Sequence, residues 1–348
     1  MKLAIFTLAF VALLPAQQGK GPQAPPLLPC GVHGDADAIC GTRSPEDLEL
    51  TPDGKFLLVP QFVNGAGGAG LGMQLFDISA KTFSKMTVEN APDKSWGDPM
   101  CPGPIGDALR PHGISLAQRK GGAWELYVVN HGGRQSIEMF ELKRAAPWSL
   151  VWRGCVVTPK EFNDVAALPD GSFIATHPTS MREQGDTSDL FAAKATGWVS
   201  RWTASKGEEE ILGTRIGYPN GILATKDGRY IYVNAWIQKE VHKYDLKTGK
   251  EVGMVKLDFM PDNVTWTDKH QILAAGVKGA RGDCAGAPCI QGFGIALIDP
   301  AKMTAKTEYD SQGKGPLIGG VSVALQVGPS IYIGAFQGDR IVKIPFKN

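Results

Sequence analysis

Short apolar runs alternate with polar turns along most of the chain. The turns carry glycine, proline, aspartate or lysine, and the runs are rich in valine, isoleucine, leucine and aromatic residues. Six units of this kind occur, at residues 51–60, 119–130, 168–177, 225–234, 267–276 and 327–336. Apolar runs of this length between turn residues are typical of β-strands, and amphipathic helical stretches are scarce. We therefore predict an all-β protein with many tight turns.

The spacing of the six units indicates a repeat. Successive turns lie roughly 40 to 70 residues apart, and about 320 residues shared among six units leave about 53 residues for each. That length accommodates one blade of four antiparallel strands. The chain from residue 30 to residue 348 is therefore predicted to be a single domain. Its predicted fold is a six-bladed β-propeller whose innermost strands line a central channel.

The N-terminus has the composition of an export signal. Lys2 precedes the apolar run 3–14, and Ala16 supplies a small residue at which a signal peptidase can cut. We predict a signal peptide over residues 1–16, a Pro/Gly-rich linker over 17–29, and export to the periplasm or the medium. An uncleaved anchor is the alternative, although about a dozen apolar residues are few for a stable membrane span.

Charge and cysteine content narrow the function classes. The chain has 36 Lys+Arg and 35 Asp+Glu, a formal net charge of +1. Because the charges balance, nucleic-acid binding is not predicted. Six cysteines fit an exported protein, and the sequence leaves their pairing open. Cys284 and Cys289 bracket a short loop, which favours a local bridge. The cysteines lack C-x-x-C spacing, so no zinc site is predicted.

A residue with a metal-binding side chain occupies the same place in five of the six units. It lies eight residues before the turn position of its own unit, and the five are Glu46, His112, Asn163, Asn220 and Asp262. In the sixth unit that place is Gly320, which has no side chain to offer. Equivalent ends of the innermost strands converge at one mouth of a propeller channel. Carboxylate and amide oxygens gathered there, without thiolates, are ligands that Ca²⁺ prefers.

Three of these positions are doublets of ligand-type residues. The doublets are Glu46-Asp47, Asn163-Asp164 and Asp262-Asn263. Adjacent side chains of a strand point apart, so one member can face an ion at the mouth and the other an ion deeper in the channel. Asn and Asp also begin turns for structural reasons alone. Because three doublets stand in register with one repeat, we favour metal binding and expect two ions.

Two histidines flank a predicted hairpin. His112 begins its first strand, and His131 follows its second strand. The open ends of paired strands lie side by side, so the two imidazoles can meet. The alternative is that each histidine caps a strand and bonds the backbone. The polar residues in register with His112 favour a role for the pair at the channel mouth, where a neutral imidazole can accept a proton.

Several segments together resemble the paraoxonase/arylesterase family and the related SMP-30/gluconolactonase/strictosidine-synthase-like propellers. They are SPEDLEL (44–50), RPHGISL (110–116), YVVNHGGRQSIEMF (127–140), FNDVAALPDG (162–171), PNGILATKDGRYIYV (219–233) and PDNVTW (261–266). The resemblance implies a six-bladed propeller with one catalytic and one structural Ca²⁺ in the channel. The ligands it implies for the catalytic ion are Glu46, Asn163, Asn220, Asp262 and Asn263. Those it implies for the structural ion are Asp47, Asp164 and the backbone carbonyl of Ile114.

The activity that the resemblance implies is calcium-dependent hydrolysis of lactones or aryl esters. In it Ca²⁺ acts as Lewis acid, His112 is the general base, and His131 holds its tautomer or relays the proton. One alternative is a gluconolactonase-like sugar lactonase that uses another divalent metal. Another is a non-catalytic propeller, stabilised by calcium, that serves as a binding module outside the cytoplasm. Vertebrate relatives close the ring with a disulfide between N- and C-terminal cysteines, which the C-terminal sequence IVKIPFKN does not provide.

Overall fold

Six β-sheets surround a central channel in a computed structural model of the protein, which describes residues 26–63, 70–144, 147–178, 195–279 and 292–348. Apart from one 3-10 turn, Gly106–Ala108, the regular structure of these residues is entirely β. Each sheet contains four antiparallel strands in meander order, and two sheets have one strand more. The prediction of an all-β, six-bladed propeller is therefore confirmed.

The first five blades each use consecutive strands of the chain. Blade 1 contains β3 (Glu49–Leu50), β4 (Phe56–Pro60), β5 (Met73–Asp77) and β6 (Thr82–Lys85). Blade 2 contains β8 (Pro111–Gln118), β9 (Trp124–Asn130), β10 (Ser136–Lys143) and β11 (Ser149–Val157), and β7 (Val88–Asn90) pairs parallel with β11. Blade 3 contains β12 (Val165–Ala167), β13 (Phe173–His177), β14 (Trp198–Thr203) and β15 (Gly207–Glu210). Blade 4 contains β16 (Pro219–Ala224), β17 (Tyr230–Ala235), β18 (Glu240–Asp245) and β19 (Glu251–Lys256). Blade 5 contains β20 (Met260–Trp266), β21 (Ile272–Val277), β22 (Phe293–Asp299) and β23 (Thr304–Asp310).

The sixth blade joins strands from distant parts of the chain. It contains β24 (Val321–Val327), β25 (Ser330–Ala335) and β26 (Arg340–Pro345), followed outward by β2 (Ala36–Cys40) and β1 (Gly31–His33). β2 pairs antiparallel with β26, from Asp37 opposite Lys343 to Cys40 opposite Arg340. This strand pairing closes the ring.

Two disulfides brace the described part of the chain. Cys30–Cys40 links the start of β1 to the end of β2, and Cys101–Cys155 ties the segment before blade 2 to β11. Disulfides of this kind are typical of proteins outside the cytoplasm. The local bridge predicted between Cys284 and Cys289 lies outside the described residues, as do the predicted signal peptide and most of the linker. Within the described ranges no helix has the length and apolarity to cross a membrane.

The hydrophobic core lies between neighbouring blades. Between blades 1 and 6, for example, Val59 and Phe76 pack in one fully buried cluster with Val323 and Ile341. Burial of each such side chain stabilises the fold by about 1.5–3 kcal/mol relative to exposure. Because these apolar contacts are made between blades, the innermost strands can present polar side chains to the channel.

A β-bulge interrupts the innermost strand of four blades beside the channel mouth. Pairing with the second strand skips the residues between Pro111 and Ile114, Pro219 and Ile222, Pro261 and Val264, and Val321 and Val323. A bulge leaves residues unpaired and turns their side chains away from the regular pleat. Three of these bulges contain predicted site residues, namely His112, Asn220 and the doublet Asp262-Asn263.

The bulges correct the prediction for the sixth blade. The residue equivalent to Asn220 is Ser322, inside the bulge of β24, whereas Gly320 precedes the strand. Gly320 has a φ of 64°, and Tyr218, two residues before Asn220, has a φ of 52°. Gly320 therefore occupies the left-handed turn that precedes the strand, as Tyr218 does in blade 4. The prediction failed because the following hairpin is shorter, so that Ser322 lies six residues, not eight, before its turn glycine, Gly328.

Candidate metal centre and active site

The structure gathers the predicted site residues at one end of the channel. All of their side chains are buried, and they are Glu46, Asp47, His112, Asn163, Asp164, Asn220, Asp262 and Asn263. Asn263 of blade 5 donates a hydrogen bond to Glu46 Oε1 of blade 1, with the two atoms 2.8 Å apart. Nε2 of His112, in blade 2, lies 3.6 Å from the same carboxyl oxygen. Residues far apart in sequence therefore share one small chamber.

Hydrogen bonds between neighbouring blades hold this chamber together. Four side chains donate to backbone carbonyls of the next blade: Thr176 to Asn220, Asn234 to Asp262, Thr265 to Ala324, and Ser322 to Glu46. The carboxylate of Asp47 accepts from the backbone N–H of Ile114 in blade 2, at 2.8 Å. Because these side chains are buried, each bond satisfies a donor or acceptor that would otherwise destabilise the fold. The backbone around the mouth is thereby fixed by its neighbours.

Four buried oxygens at the mouth have no hydrogen-bond partner among the described residues. They are Oε2 of Glu46 and the side-chain Oδ1 atoms of Asn163, Asn220 and Asn263. Leaving one buried acceptor unpaired costs about 1–3 kcal/mol, so four in one chamber require compensation. A hard cation accepts carboxylate and amide oxygens of this kind as ligands. These residues, together with Asp262, therefore fit a Ca²⁺ ion at the mouth.

The electrostatics of the chamber also favour a cation. Burial raises the pKa of Glu46 well above its ordinary value, and the neighbouring carboxyls of Asp262, Asp47 and Asp164 raise it further. Burial raises the pKa of Asp47 to about 7 and that of Asp262 to about 8. The largest contributions to these shifts come from burial, neighbouring carboxyls and hydrogen bonds, and none of them comes from a lysine or arginine. Four ionised carboxylates in such a space need a positive charge beside them.

The second members of two doublets lie deeper in the channel. Asp47 accepts backbone N–H groups from Leu48 and Ile114, each at 2.8 Å. Asp164 accepts from Val165 at 2.7 Å and from Ile222 at 2.8 Å. Each carboxyl oxygen therefore has one donor and keeps a lone pair. The two carboxyls act on each other, since burial and then Asp47 raise the pKa of Asp164. This pair, with Ile114 beside it, fits an inner cation that joins blades.

A cavity of about 510 Å³ occupies the channel beyond this inner pair. All six innermost strands line it, and Asp47 and Asp164 belong to its wall. Glu49 also lines it, and burial followed by the nearby Asp47 raises the pKa of Glu49 to about 8. The inner pair therefore separates the mouth chamber from a wider space at the opposite end.

Gly113 and Gly221 allow the backbone to approach the ligand residues. A Cβ atom on Gly113 would lie 2.2 Å from Oδ1 of Asp164. One on Gly221 would lie 2.4 Å from the carbonyl oxygen of Asp262. Both glycines follow a predicted site residue inside a bulge. Only glycine leaves room there for the next blade.

We expect Gly113→Ala to lower stability by at least about 1–3 kcal/mol, the usual cost of overpacking, and to lower the calcium content. The added methyl group would displace the Asp164 carboxyl, which accepts the N–H of Ile222. The measurements are the melting temperature and the calcium bound per chain. Gly121→Ala is the matched control, because its Cβ would have no heavy atom within 4 Å. Equal melting temperatures for the two variants would contradict this close approach.

The two histidines lie in contact, as the hairpin predicted. Nδ1 of His112 and Nε2 of His131 are 2.9 Å apart. The ring of Phe62 stacks on His112, with centroids 4.3 Å apart, and lies edge-on to His131. Burial, and then the neighbouring His131, hold the pKa of His112 well below its usual range. A neutral imidazole therefore lies beside the oxygen cage, the group of side-chain oxygens of Glu46, Asn163, Asn220, Asp262 and Asn263 at the mouth.

Other residues at the mouth could not be identified from the sequence repeat. Phe62 follows β4, and Gln135 lies in the turn after β9, where its Oε1 is 2.7 Å from Nδ1 of His131. Glu161 also approaches that nitrogen, at 4.0 Å. His177, by contrast, has a structural position, because Nε2 of its buried ring lies 2.6 Å from Glu208 Oε1.

Fold and site define a β-propeller of the lactonase-like kind, with an oxygen cage and a histidine pair at the channel mouth. The profile of the SMP-30/Gluconolactonase/LRE-like region matches residues 72–281, more than half of the chain, and the protein belongs to that family. The resemblance seen in the sequence motifs is thus confirmed at the level of the family.

Curated relatives are more distant. The chain is 28% identical over 169 residues to human serum paraoxonase/lactonase 3, which covers 46% of each protein. It is 28% identical over 240 residues to the rabbit protein of that name, covering 63% of this chain and 62% of the relative. Human serum paraoxonase/arylesterase 1 is 25% identical over 166 residues. The matches thus span about half of the human relatives' length.

Solved structures agree on the fold. A putative gluconolactonase superposes with a TM-score of 0.53 at 14% identity, covering 92% of this chain and 94% of that one. A luciferin-regenerating enzyme superposes with a TM-score of 0.53 at 12% identity, covering 89% and 94%. At these identities the likeness concerns the propeller alone.

Proposed function

We propose that the protein is a calcium-dependent hydrolase of lactones or aryl esters. The observation that carries the proposal is the set of four unpaired buried oxygens beside the His112–His131 pair. Membership of the family, and distant relatives named as paraoxonase/lactonase and paraoxonase/arylesterase, support the same reaction class. The substrate is a small molecule that reaches the mouth of the channel.

Two cation sites follow from the donor sets. The residues proposed to hold the mouth ion are Glu46, Asn163, Asn220, Asp262 and Asn263. Those proposed for the inner ion are Asp47, Asp164 and the carbonyl of Ile114. When bound at the mouth, Ca²⁺ supplies Lewis acidity toward the carbonyl oxygen of the substrate.

The two histidines carry out the proton transfers of the reaction. Nε2 of His112 takes a proton from water, whose oxygen adds to the carbonyl carbon of the lactone or ester. The bond from that carbon to the leaving oxygen then breaks, and the leaving oxygen receives the proton from His112. The products are a carboxylic acid, which releases its proton to solvent at neutral pH, and an alcohol or phenol. Phe62 covers one face of the His112 ring and keeps it in place. His131 holds the other nitrogen of His112.

Two other functions predict different results from the same substrate screen. Aliphatic lactones, aryl esters and sugar lactones are each assayed with and without EGTA. Hydrolysis of lactones or aryl esters that stops with EGTA supports the proposal. Turnover of sugar lactones alone, restored by another divalent metal, favours a gluconolactonase-like enzyme. No turnover of any class favours a binding module, although a purely structural cation does not require His112 to lie 3.6 Å from Glu46.

We expect His112→Gln to lower the rate of hydrolysis on the order of 10²- to 10⁴-fold, the usual effect of losing a general base. Glutamine is polar and similar in reach, so the fold and the calcium content should persist. The measurements are kcat, bound calcium and melting temperature. His270→Gln is the matched control, since His270 is exposed in the turn before β21. An undiminished rate in His112→Gln would remove this histidine from the reaction.

A further inference from the structure

The far side of the histidine pair faces two acceptor groups. Nδ1 of His131 lies 2.7 Å from Oε1 of Gln135 and 4.0 Å from Oε1 of Glu161. An amide oxygen and a carboxylate oxygen accept hydrogen bonds and donate none. Both groups therefore favour a proton on Nδ1 of His131.

The position of that proton determines which nitrogen is protonated in each of the two rings. A neutral imidazole carries one N–H, so a proton on Nδ1 of His131 leaves its Nε2 bare. This Nε2 then accepts from Nδ1 of His112, which is 2.9 Å away. His112 in turn has a bare Nε2, the nitrogen that faces the mouth. At 3.6 Å from Glu46 Oε1, this nitrogen is too far for a hydrogen bond and remains available to a water molecule.

We propose that Gln135 is a positioning residue that fixes the tautomers of both histidines, so that Nε2 of His112 faces the mouth as a proton acceptor. The tautomer assignment stands on the geometry of the three side chains. Its effect on rate rests on the proposed hydrolase function. The opposite amide orientation would place N–H donors against Nδ1 of His131. The N–H of each imidazole would then move to the other ring nitrogen. His112 would then present an N–H to the mouth and could not act as base.

The carboxylate of Glu161 supports the first orientation. It reaches Nδ1 of His131 from the segment that precedes blade 3, independently of how the Gln135 amide is turned. A bare Nδ1 would place a lone pair opposite this carboxylate, which is unfavourable. A protonated Nδ1 is attracted to it. Two separate elements of the fold thus favour one tautomer.

The turn that carries Gln135 is held firmly. The side-chain amide of Asn130 donates to the carbonyls of Gly132 and Arg134, at 3.0 and 2.9 Å, and accepts from the N–H of Arg110 at 3.0 Å. The backbone carbonyl of Gln135 accepts from Thr158 at 3.2 Å. These bonds leave the turn little freedom, so the contact with His131 is built into the fold.

The test measures the tautomers directly in the full, calcium-loaded protein. With ¹⁵N-labelled histidine, long-range proton–nitrogen correlation spectra separate protonated from bare ring nitrogens. The variants His112→Gln and His131→Gln assign the signals. We expect Nδ1 to be protonated and Nε2 bare in both rings of the wild type. Gln135→Met, similar in size but without an acceptor, should give a mixture of tautomers at His131, whereas Gln135→Glu should keep the wild-type pattern.

Rates provide a second readout. Gln135→Met should lower kcat about 10- to 100-fold, the range seen when a partner that orients a metal-bound histidine is lost, with little change in KM. Gln135→Glu should restore the rate. Bound calcium and melting temperature should match the wild type, and Gln135→Ala replaces the methionine variant if that variant is less stable. A bare Nδ1 on His131 in the wild type, or unchanged tautomers in Gln135→Met, would overturn the proposal. Wild-type protein that shows these tautomers but hydrolyses nothing would refute the proposed function and leave the role of Gln135 standing.

Discussion

Excess EGTA is expected to lower the melting temperature of the protein by roughly 10 °C or more and to abolish hydrolysis. Each of two ions that bind only the folded state at about 1,000 times their Kd stabilises that state by about 4 kcal/mol, and together they correspond to roughly 12 °C in a domain of this size. Removing them would expose the repulsion among Glu46, Asp47, Asp164 and Asp262, whose pKa values are all raised in the folded protein. The four unpaired oxygens would also lose their compensation.

The matched control is EGTA already saturated with calcium, which should leave both the melting temperature and the rate unchanged. Adding calcium back should restore activity if the chelated protein has stayed folded. Elemental analysis of the untreated protein should find calcium. An unchanged melting temperature in EGTA, together with a calcium-free protein, would rule out both cation sites.

Asn220→Ala and Asp262→Ala are each expected to abolish activity, whereas Asp164→Ala should mainly lower stability. Oδ1 of Asn220 has no partner among the described residues, so its removal breaks no hydrogen bond that this oxygen makes within the fold. Asp164, by contrast, accepts N–H groups from Val165 and Ile222 and so joins blades 3 and 4. Its loss leaves two buried donors unpaired, at about 1–3 kcal/mol each.

The measurements that separate the two groups are kcat, melting temperature and calcium bound per chain. Asn220→Ala and Asp262→Ala should lose the mouth ion and keep the inner one. Asp268→Ala is a suitable control, because Asp268 is an exposed carboxylate at the other end of the channel. If Asp164→Ala kept its thermal stability but lost all turnover, the assignment of the two ligand sets would be wrong.

The repeat made the architecture and the cage predictable. Each blade begins with a hairpin whose turn is marked by glycine or a polar residue, so both the number of blades and the order of their strands follow from local signals. A residue such as Asn220 can be located because its distance from its turn is the same in most blades. The structure brings the predicted ligand residues together, while their binding of calcium stays a prediction.

Contacts that do not follow the regular repeat could not be predicted in this way. Ser322 was missed because the spacing changes where its hairpin is shorter. The pairing of Asp37 with Lys343 is a contact between the two ends of the domain, and no periodic signal connects those residues. Phe62 and Gln135 reach the histidines from segments outside the strands, where neither spacing nor composition indicates their contact.

The order of synthesis bears on when the cage can bind an ion. Glu46 accepts hydrogen bonds from the side-chain amide of Asn263 and the hydroxyl of Ser322, which lie 217 and 276 residues further along the chain. A growing polypeptide therefore carries Glu46 and Asp47 long before blades 5 and 6 exist to surround them. Contacts between such distant residues form late in folding, because closing long loops is slow. Calcium capture at the mouth would then accompany the docking of the last blade.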